Sequence, residues 1–372
     1  MKFSCEKAVL TEAVMNVSRM IPSKSSIPAL EGVKIRADQE KGELTLCGYD
    51  MEAGITTRIP ASVAEQGEIV LSTRLFSDMI RKMAGETVSV AVGDKFLTEI
   101  KSGITEYTIL GIPSDEFPEL PTVEGGMSVT LRQGVLKSMI DQTHFAIALT
   151  DSKPVHMGSL FDLKDGELSV VSVDGYRLAL RKELVPGVPD MSFVVPGKVL
   201  SELSKMIKED SEEEAAVAVS GRHIIFQIGG YSIISRLLEG EFLDYKNSIP
   251  AGAASTVRIS TRSFIDSVER ASLLISDRLR SPLRILFDKQ GDVKITCSTS
   301  IGKFYDEITC EIDGDSVEMG FNNKYLMDAL RAADTDEIRI ELSGPLSPIK
   351  ILPPEGDSSL FLVLPVRLKN EN

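Results

Sequence analysis

The chain contains no tryptophan, and it has few of the residues on which catalytic and metal sites are usually built. Its 372 residues include only three histidines and four cysteines. The histidines lie in three distant segments, at His144, His156 and His223. The cysteines are also far apart, at Cys5, Cys47, Cys297 and Cys310. Because neither CxxC nor Cys/His zinc spacing occurs, we expect no metal site and no disulfide framework. The cysteines should be small apolar core residues in a reducing compartment.

The short motifs that bind nucleotide phosphates or carry out hydrolysis are also missing. We find no GxxxxGK[ST] loop, no GxGxxG after a strand, no HExxH and no GxSxG. Asp50 and Glu52 could in principle hold Mg²⁺. Alternation places both on one strand face near a turn, however, which favours ordinary surface carboxylates. The sequence therefore predicts no catalytic site and no cofactor.

Long hydrophobic runs are absent, although 42% of the residues are hydrophobic. No run approaches the roughly 20 apolar residues that cross a bilayer. The first residues, Met1 to Lys7, are charged but have no apolar stretch behind them, unlike a secretory signal. We expect a cytoplasmic protein with no membrane contact.

Positive charge is in deficit, because the chain has 41 Lys and Arg residues but 55 Asp and Glu residues, giving a formal net charge of −14. Phosphates need cations, so this balance opposes a nucleic-acid partner unless the bases are gathered on one surface. The distribution of charge therefore matters more than its sum.

One structural unit is repeated three times along the chain. Residues 2–21, 128–147 and 257–276 each read as a short alternating strand followed by apolar residues at i, i+3, i+4 and i+7. That pattern indicates a strand leading into an amphipathic helix. Leu10, Leu136 and Ile265 correspond, at offsets of 126 (136 − 10) and 129 (265 − 136).

The second half of each unit also repeats. Helices are predicted over 70–83, 194–207 and 320–333. Each is followed by alternating strands with Gly or Pro turns, over 88–112, 216–240 and 338–368. Small residues mark boundaries near 126 and 253. We predict three α+β domains of one topology, each with two helices and antiparallel strands, over 1–126, 127–253 and 254–372.

Basic residues recur at matching positions in the second helix of each unit. The pairs are Arg74 and Arg81, Lys198 and Lys205, and Lys324 and Arg331. The members of a pair are seven residues apart and share a helix face. Any one such face could simply be solvated. Recurrence in an acidic protein favours one shared polyanion, contacted through its phosphates and without sequence readout.

Three segments carry a resemblance to a known family. Residues 172–179 read SVDGYRLA, residues 320–326 read GFNNKYL, and residues 364–368 read LPVRL. They resemble the bacterial sliding clamps, the beta subunits of DNA polymerase III, and the likeness covers essentially the whole chain. Residues 48–52, GYDME, resemble a strand end of the family's first domain.

The resemblance implies a DNA clamp fold and a non-catalytic function. Two chains would join head to tail as a homodimer, giving a closed ring of six domains. Helices would line the hole and strands would form the outer surface. Such a ring encircles duplex DNA as a processivity factor and tethers the replicative polymerase, while its opening is the ATP-dependent task of a separate clamp loader.

The resemblance also implies a pocket for short Leu- and Phe-containing peptides of the DNA polymerase III catalytic subunit, the clamp loader, other polymerases and repair proteins. Matching positions in this chain are Val173, Gly175, Tyr176, Arg177, Leu178, Leu346, Leu362, Val363, Leu364, Pro365, Val366, Arg367 and Leu368. His156, Leu243 and Ser248 would lie at its margins. Lys24 would be a further DNA contact. Leu273 and Leu274 would meet the strand from Ile104 to Leu110 of the partner chain.

A different reading of the repeats remains open from the residues alone. Repeated α+β domains with basic helix faces could also belong to a nucleic-acid-processing enzyme or to a ligand-binding scaffold. Metal-dependent activity would separate the enzyme from a clamp, which needs no cofactor of its own.

Overall fold

The chain folds into two compact units. A computed structural model describes residues 1–123, 125–150, 153–275 and 281–368. Unit 1 comprises Met1–Gly134 and Lys205–Leu237, and unit 2 comprises Val135–Ser204 and Leu238–Asn372. Glu124 at the first predicted boundary, Ser276 at the end of the third repeat stretch and residues 369–372 of the third predicted domain lie outside the described residues.

The predicted helices are present in all three repeats. The α-helices are α1 (Lys7–Val17), α2 (Thr73–Lys82), α3 (Gln133–His144), α4 (Gly197–Met206), the one-turn α5 (Tyr245–Ser248), α6 (Thr261–Ser272) and α7 (Asn323–Ala332). Helix α1 buries Leu10, Val14 and Val17. Helix α6 buries Phe264, Val268 and Ala271, with the same spacing. Phe264, and not the half-buried Ile265, is therefore the counterpart of Leu10. The repeated apolar spacing of the sequence forms the core face of α1 and α6.

Unit 1 contains two antiparallel sheets. The five-stranded sheet has the order β5 (Ser62–Glu65), β1 (Lys2–Glu6), β7 (Thr87–Val92), β8 (Leu97–Ser102) and β9 (Thr105–Leu110). The eight-stranded sheet has the order β10 (Met127–Arg132), β15 (Glu214–Ser220), β16 (His223–Ile228), β17 (Tyr231–Arg236), β4 (Ala53–Pro60), β3 (Glu43–Tyr49), β2 (Gly32–Asp38) and β6 (Gly67–Ser72).

Unit 2 repeats this plan. Its nine-stranded sheet has the order β14 (Met191–Pro196), β11 (Gly158–Lys164), β12 (Glu167–Val173), β13 (Arg177–Leu184), β26 (Ser359–Val363), β25 (Ile349–Leu352), β24 (Glu337–Leu342), β18 (Ser255–Ser260) and β22 (Glu311–Asp313). Its four-stranded sheet has the order β21 (Gly302–Thr309), β20 (Asp292–Thr299), β19 (Leu283–Asp288) and β23 (Val317–Phe321).

Strand pairing crosses both predicted domain boundaries. In unit 1, β17 pairs with β4, with Ile233 opposite Ile55. In unit 2, β13 pairs with β26, with Leu178 opposite Leu362. The middle repeat therefore shares its strands with the repeats on either side, and each large sheet is built from two repeats.

The cysteines lie within the fold, as their isolation in the sequence predicts. Cys5, Cys297 and Cys310 are buried and Cys47 is half-buried, all as free thiols. Burial raises the pKa of the Cys5, Cys47 and Cys310 thiols to about 11. They are therefore protonated and poor nucleophiles near neutral pH. Among the described residues, no helix is both long and apolar enough to cross a membrane.

Candidate functional site

The C-terminal segment of unit 2 is held between two elements by backbone hydrogen bonds. Strand β26 pairs with β13, and beyond it the Leu364 N–H donates to the Tyr176 carbonyl at 2.9 Å. Two residues later the Val366 N–H donates to the Gly320 carbonyl of β23 at 2.8 Å. Gly320 has no room for a side chain, since a Cβ would lie 2.6 Å from the Val366 oxygen. A glycine is therefore required where the C-terminal segment crosses β23.

Arg177 is fixed by charge and by aromatic rings. Its Nε donates to Asp174 Oδ2 at 2.9 Å, and its Nη1 donates to Asp328 Oδ2 of α7 at 2.5 Å. The guanidinium lies 4.6 Å from the Tyr325 ring centroid and 5.4 Å from that of Phe145. This planar group joins β13 to α7 and positions the surrounding residues.

Tyr176, next to Arg177, is the exposed member of this group. Its ring stacks on Tyr325 with centroids 5.6 Å apart, and 59% of the residue remains exposed. The turn before it depends on Gly175 at φ +85°, and Asp174 accepts hydrogen bonds there from the Tyr176 and Arg177 amides. The turn thus presents one aromatic face to solvent and directs the arginine inward.

A cavity of about 830 Å³ opens beside the two tyrosines. Its lining residues are Tyr176, Ile275, Ser281, Pro282, Phe321, Asn322, Asn323, Lys324, Tyr325, Leu364, Pro365 and Val366. The lining combines apolar and aromatic side chains with a few polar groups, including Asn322, which caps α7 by accepting from the Lys324 amide at 2.9 Å. Such a lining suits a peptide with apolar anchors.

The pocket residues named from the sequence fall into three groups. Tyr176, Leu364, Pro365 and Val366 line the cavity. Val173, Leu178 and Leu362 are buried in one core cluster of unit 2, and Val363 is buried in the cluster on the opposite face of β26. Gly175, Arg177, Leu243, Leu346, Arg367 and Leu368 do not line it. Leu346 lies on the turn after β24 and is 71% exposed, while Leu243 lies on the segment before α5.

The segment that carries Leu243 is held against β11. Tyr245 is buried, and its hydroxyl donates to Asp162 Oδ2 at 3.0 Å. Burial, reinforced by the bond to Asp162, raises the pKa of Tyr245 above its ordinary value. The Phe242 and His156 rings are nearly perpendicular, with centroids 5.5 Å apart. The Ser248 hydroxyl donates to the Asp244 carbonyl at 3.2 Å. His156 and Ser248 therefore lie on or against this segment.

Several residues of the site were not found from the sequence. Phe145, Asn322, Tyr325 and Asp328 hold or line it. Phe145 follows α3, whereas Asn322, Tyr325 and Asp328 are three residues apart at the start of α7 and along it, a spacing that places neighbours on one helix face. The GFNNKYL segment supplies five of the lining residues, Phe321, Asn322, Asn323, Lys324 and Tyr325.

The bases named from the sequence are exposed in both units. Arg74 and Arg81 lie on α2 and Lys205 at the end of α4, and Lys24 lies on the loop after α1. In unit 2, Lys198, Lys324 and Arg331 are exposed on α4 and α7. In unit 1 a shallow cavity of about 570 Å³ gathers Arg81 and Lys205 with two further bases, Lys7 and Lys208, and one acid, Glu12.

At one end of each of the two smaller sheets lies an edge strand flanked by exposed apolar residues. In unit 1 the edge is β9, flanked by the exposed Ile104 and Leu110. In unit 2 the edge is β21, flanked by the exposed Ile301 and, at the end of α6, by Leu273. Leu274 follows Leu273 and packs partly against the core. Unpaired edges with apolar flanks are sites for pairing with another chain.

In the described ranges, no three His, Cys, Asp or Glu side chains come together in a way that could hold an ion.

Comparison with known proteins gives one consistent result. Three family models match in order: the DNA polymerase III beta subunit N-terminal domain over residues 1–121, its central domain over 130–244 and its C-terminal domain over 246–367. The beta sliding clamp of Halalkalibacterium halodurans is 34% identical over 381 residues, covering 99% of this chain and 100% of the relative. That of Bacillus subtilis is 31% identical, with the same coverage.

Solved structures agree with the sequence relatives. The crystal structure of the Bacillus subtilis DNA polymerase sliding clamp superposes with a TM-score of 0.95 at 31% identity, covering 99% of this chain and all of the other. A putative DNA polymerase III beta subunit from Eubacterium rectale gives 0.93 at 32% identity, with the same coverage.

The crossing at Gly320 gives a direct test of the site's construction. Gly320→Ala should detach the C-terminal segment, because the new Cβ would overlap the Val366 carbonyl and the Leu368 side chain. Hydrogen exchange at the Leu364 and Val366 amides should accelerate at least about tenfold. Gly302→Ala is the matched control, since its Cβ meets nothing closer than 3.6 Å. Equal protection of both amides in the two variants would contradict this description.

Proposed function

The chain belongs to the DNA polymerase III beta subunit family, the beta sliding clamps, and from this we propose that two copies join head to tail as a closed ring around duplex DNA. Like its family, the chain is a processivity factor without catalytic activity, which sets aside a nucleic-acid-processing enzyme. The observation that carries the ring proposal is the pair of edge strands with exposed apolar flanks, β9 and β21. We also propose domain boundaries at 126 and 253 and residence with the chromosome in the cytoplasm.

A head-to-tail ring would satisfy both edges at once. Strand β9 of one copy would pair with β21 of the other, so that two interfaces use up all four edges. Contacts between unlike surfaces form a closed ring when the rotation closes, here after two copies. Leu273 and Leu274 would then pack against the partner's β9, burying side chains that are otherwise exposed to water.

The faces of the two strands limit how they can pair. On β9, Tyr107 and Ile109 lie opposite the buried Ile100 and Thr98, so they are on the core face. On β21, Phe304 lies opposite the buried Cys297 and is also on the core face. If core faces match across an antiparallel interface, the outward residues of β9 must meet the outward residues of β21.

Registers that keep the faces matched differ by steps of two residues. One places Thr108 opposite Lys303, which also sets Leu110 opposite Ile301 and Tyr107 opposite Phe304. A shift in one direction places two carboxylates, Glu106 and Glu307, directly opposite each other, which is destabilising. A shift in the other direction sets Glu106 opposite Lys303 but loses both the Tyr107–Phe304 and the Leu110–Ile301 pairs. We therefore favour the register that joins Thr108 to Lys303.

Paired cysteines test the ring and its register together. In a chain carrying Lys303→Cys, the second substitution is Thr108→Cys, Glu106→Cys or Leu110→Cys, all at exposed positions of β9. We expect the Thr108 variant to form intermolecular disulfides fastest under mild oxidation, because only opposed residues approach closely enough. Uncrosslinked protein should sediment at about twice 40.6 kDa.

Each other result has a distinct meaning. Faster crosslinking through Glu106→Cys or Leu110→Cys would show a shifted register within a ring that still forms. A single-chain mass at micromolar concentration, with no crosslink from any pair, would contradict the ring itself.

The DNA partner would be double-stranded and read without sequence preference. The exposed bases named above, Lys24 and the helix bases from Arg74 to Arg331, would contact phosphates from inside the ring. A net charge of −14 then leaves the remaining surface acidic, which repels DNA from it. Because a closed ring is retained by topology, each phosphate contact can stay weak.

The groove of unit 2 would bind the replication partners. Short Leu- and Phe-containing peptides of the DNA polymerase III catalytic subunit, the clamp loader, other polymerases and repair proteins would anchor against Tyr176, Leu364 and Val366. The buried Val173, Leu178 and Leu362 would support it from one face of the paired strands β13 and β26, and Val363 from the other. Leu243 and Leu346 would form the outer margins. Holding a polymerase by such a peptide raises its effective concentration at the primer end.

Truncation of the groove tests this assignment. Deleting Pro365 to Leu368 should abolish binding of a Leu/Phe-containing polymerase peptide and leave the dimer mass unchanged. Tyr176→Ala should weaken binding at least about tenfold, because an aromatic anchor is lost. Leu184→Ala is the control. Leu184 is exposed on β13, the strand that follows Tyr176, so this substitution should leave peptide affinity unchanged. Undiminished affinity in the deletion variant would place the peptide site elsewhere.

A further inference from the structure

Several bases on the helices that the proposed function turns toward DNA are held in ion pairs. The shortest nitrogen–oxygen distances are 2.6 Å for Arg81–Asp78, 2.6 Å for Arg331–Glu269, 3.0 Å for Arg262–Asp266 and 3.0 Å for Lys137–Asp141. An acidic partner beside a base cancels much of the field that would attract a phosphate. These helix faces are thus less positive than their arginines alone suggest.

An acid precedes the base at one position of all three repeats. Arg81, Lys205 and Arg331 correspond, and each has an acid three residues before it: Asp78, Glu202 and Asp328. Asp78 holds Arg81 within α2.

In the third repeat the acid before the base is engaged elsewhere. Asp328 binds Arg177, and Glu269 of the neighbouring helix α6 holds Arg331 instead. An acid therefore reaches this base even where the nearest one has been diverted.

Fold stability does not account for these pairs. Arg81 and Asp78 are 59% and 50% exposed, and Arg331 and Glu269 are 59% and 46% exposed. Exposed pairs of this kind contribute little to stability because water and salt screen them. Their main consequence is at the surface, where a phosphate must displace a carboxylate to reach the arginine.

We propose that Asp78 and Glu269 set the mobility of the ring on DNA by competing with phosphates for Arg81 and Arg331. This inference rests on the proposed function, since it requires the helix faces to meet DNA. Each arginine exchanges between its own carboxylate and successive phosphates, so no single phosphate holds it for long. Affinity for the DNA backbone rises with the number of phosphates neutralised, and the acids keep that number low.

The test is the escape of loaded rings from DNA ends. Rings of the full chain are placed on nicked circular duplex by a clamp loader, the circle is cut at one site, and loss of the ring is followed with time. The Asp78→Asn, Glu269→Gln variant should leave the cut DNA at least about threefold more slowly at low salt. Because salt screens phosphate contacts, the difference should disappear as salt is raised.

A second variant controls for the change in net charge. Glu43→Gln and Glu183→Gln remove the partners of Arg58 and Arg181 on strands, one in each unit. This variant carries the same added charge and should escape at the rate of the unmodified ring.

Three outcomes would count against the proposal or its premise. Unchanged escape of the helix variant would overturn it. Faster escape would also overturn it, because the acids would then be holding the arginines in place for phosphate binding. Loss of every ring from the uncut circle would instead contradict the encircling ring.

Discussion

Backbone pairing between strands that are distant in the chain is the interaction on which the rest of each unit depends. In unit 2, β13 and β26 are separated by about half the sequence, yet their pairing places Tyr176 beside Leu364 and directs Arg177 toward Asp328 of α7. In unit 1, the pairing of β17 with β4 joins two repeats in one sheet. Without these two ladders the repeats would be separate, and the groove of unit 2 would not form.

The repeats explain what could be predicted from the sequence. Helix faces such as Leu10, Val14 and Val17 follow a local spacing, so the helices and their order were found without the structure. The bases seven residues apart were found in the same way, and they are exposed. The three-domain α+β clamp fold followed from these repeats together with the family resemblance.

The same reasoning could not find what depends on contacts between distant residues. Asp328 was not predicted to hold Arg177, because 151 positions separate them and neither side chain has a local signature of the pairing. The contacts of the Phe145 and Tyr325 rings with Arg177 were not predicted for the same reason. The sharing of strands between repeats was also unforeseen, since alternation predicts a strand and one buried face but not its neighbour.

Charge, topology and function are consistent once the ring is considered as a whole. A tether that must move along DNA gains nothing from tight contacts, and an acidic chain whose helix arginines are paired with carboxylates is suited to weak ones. In the proposed ring, retention would depend on the pairing of β9 with β21, and partner binding on the separate groove. Each function would then have its own physical basis and could be altered without the others.

Encirclement itself is tested most directly by comparing retention on two forms of the same plasmid after loading. The account predicts that the protein stays on nicked circular DNA and is lost rapidly once that DNA is linearised, because the ring can leave only over an end. Equal retention on the circular and linear forms would contradict it, since ordinary phosphate binding does not depend on the presence of ends.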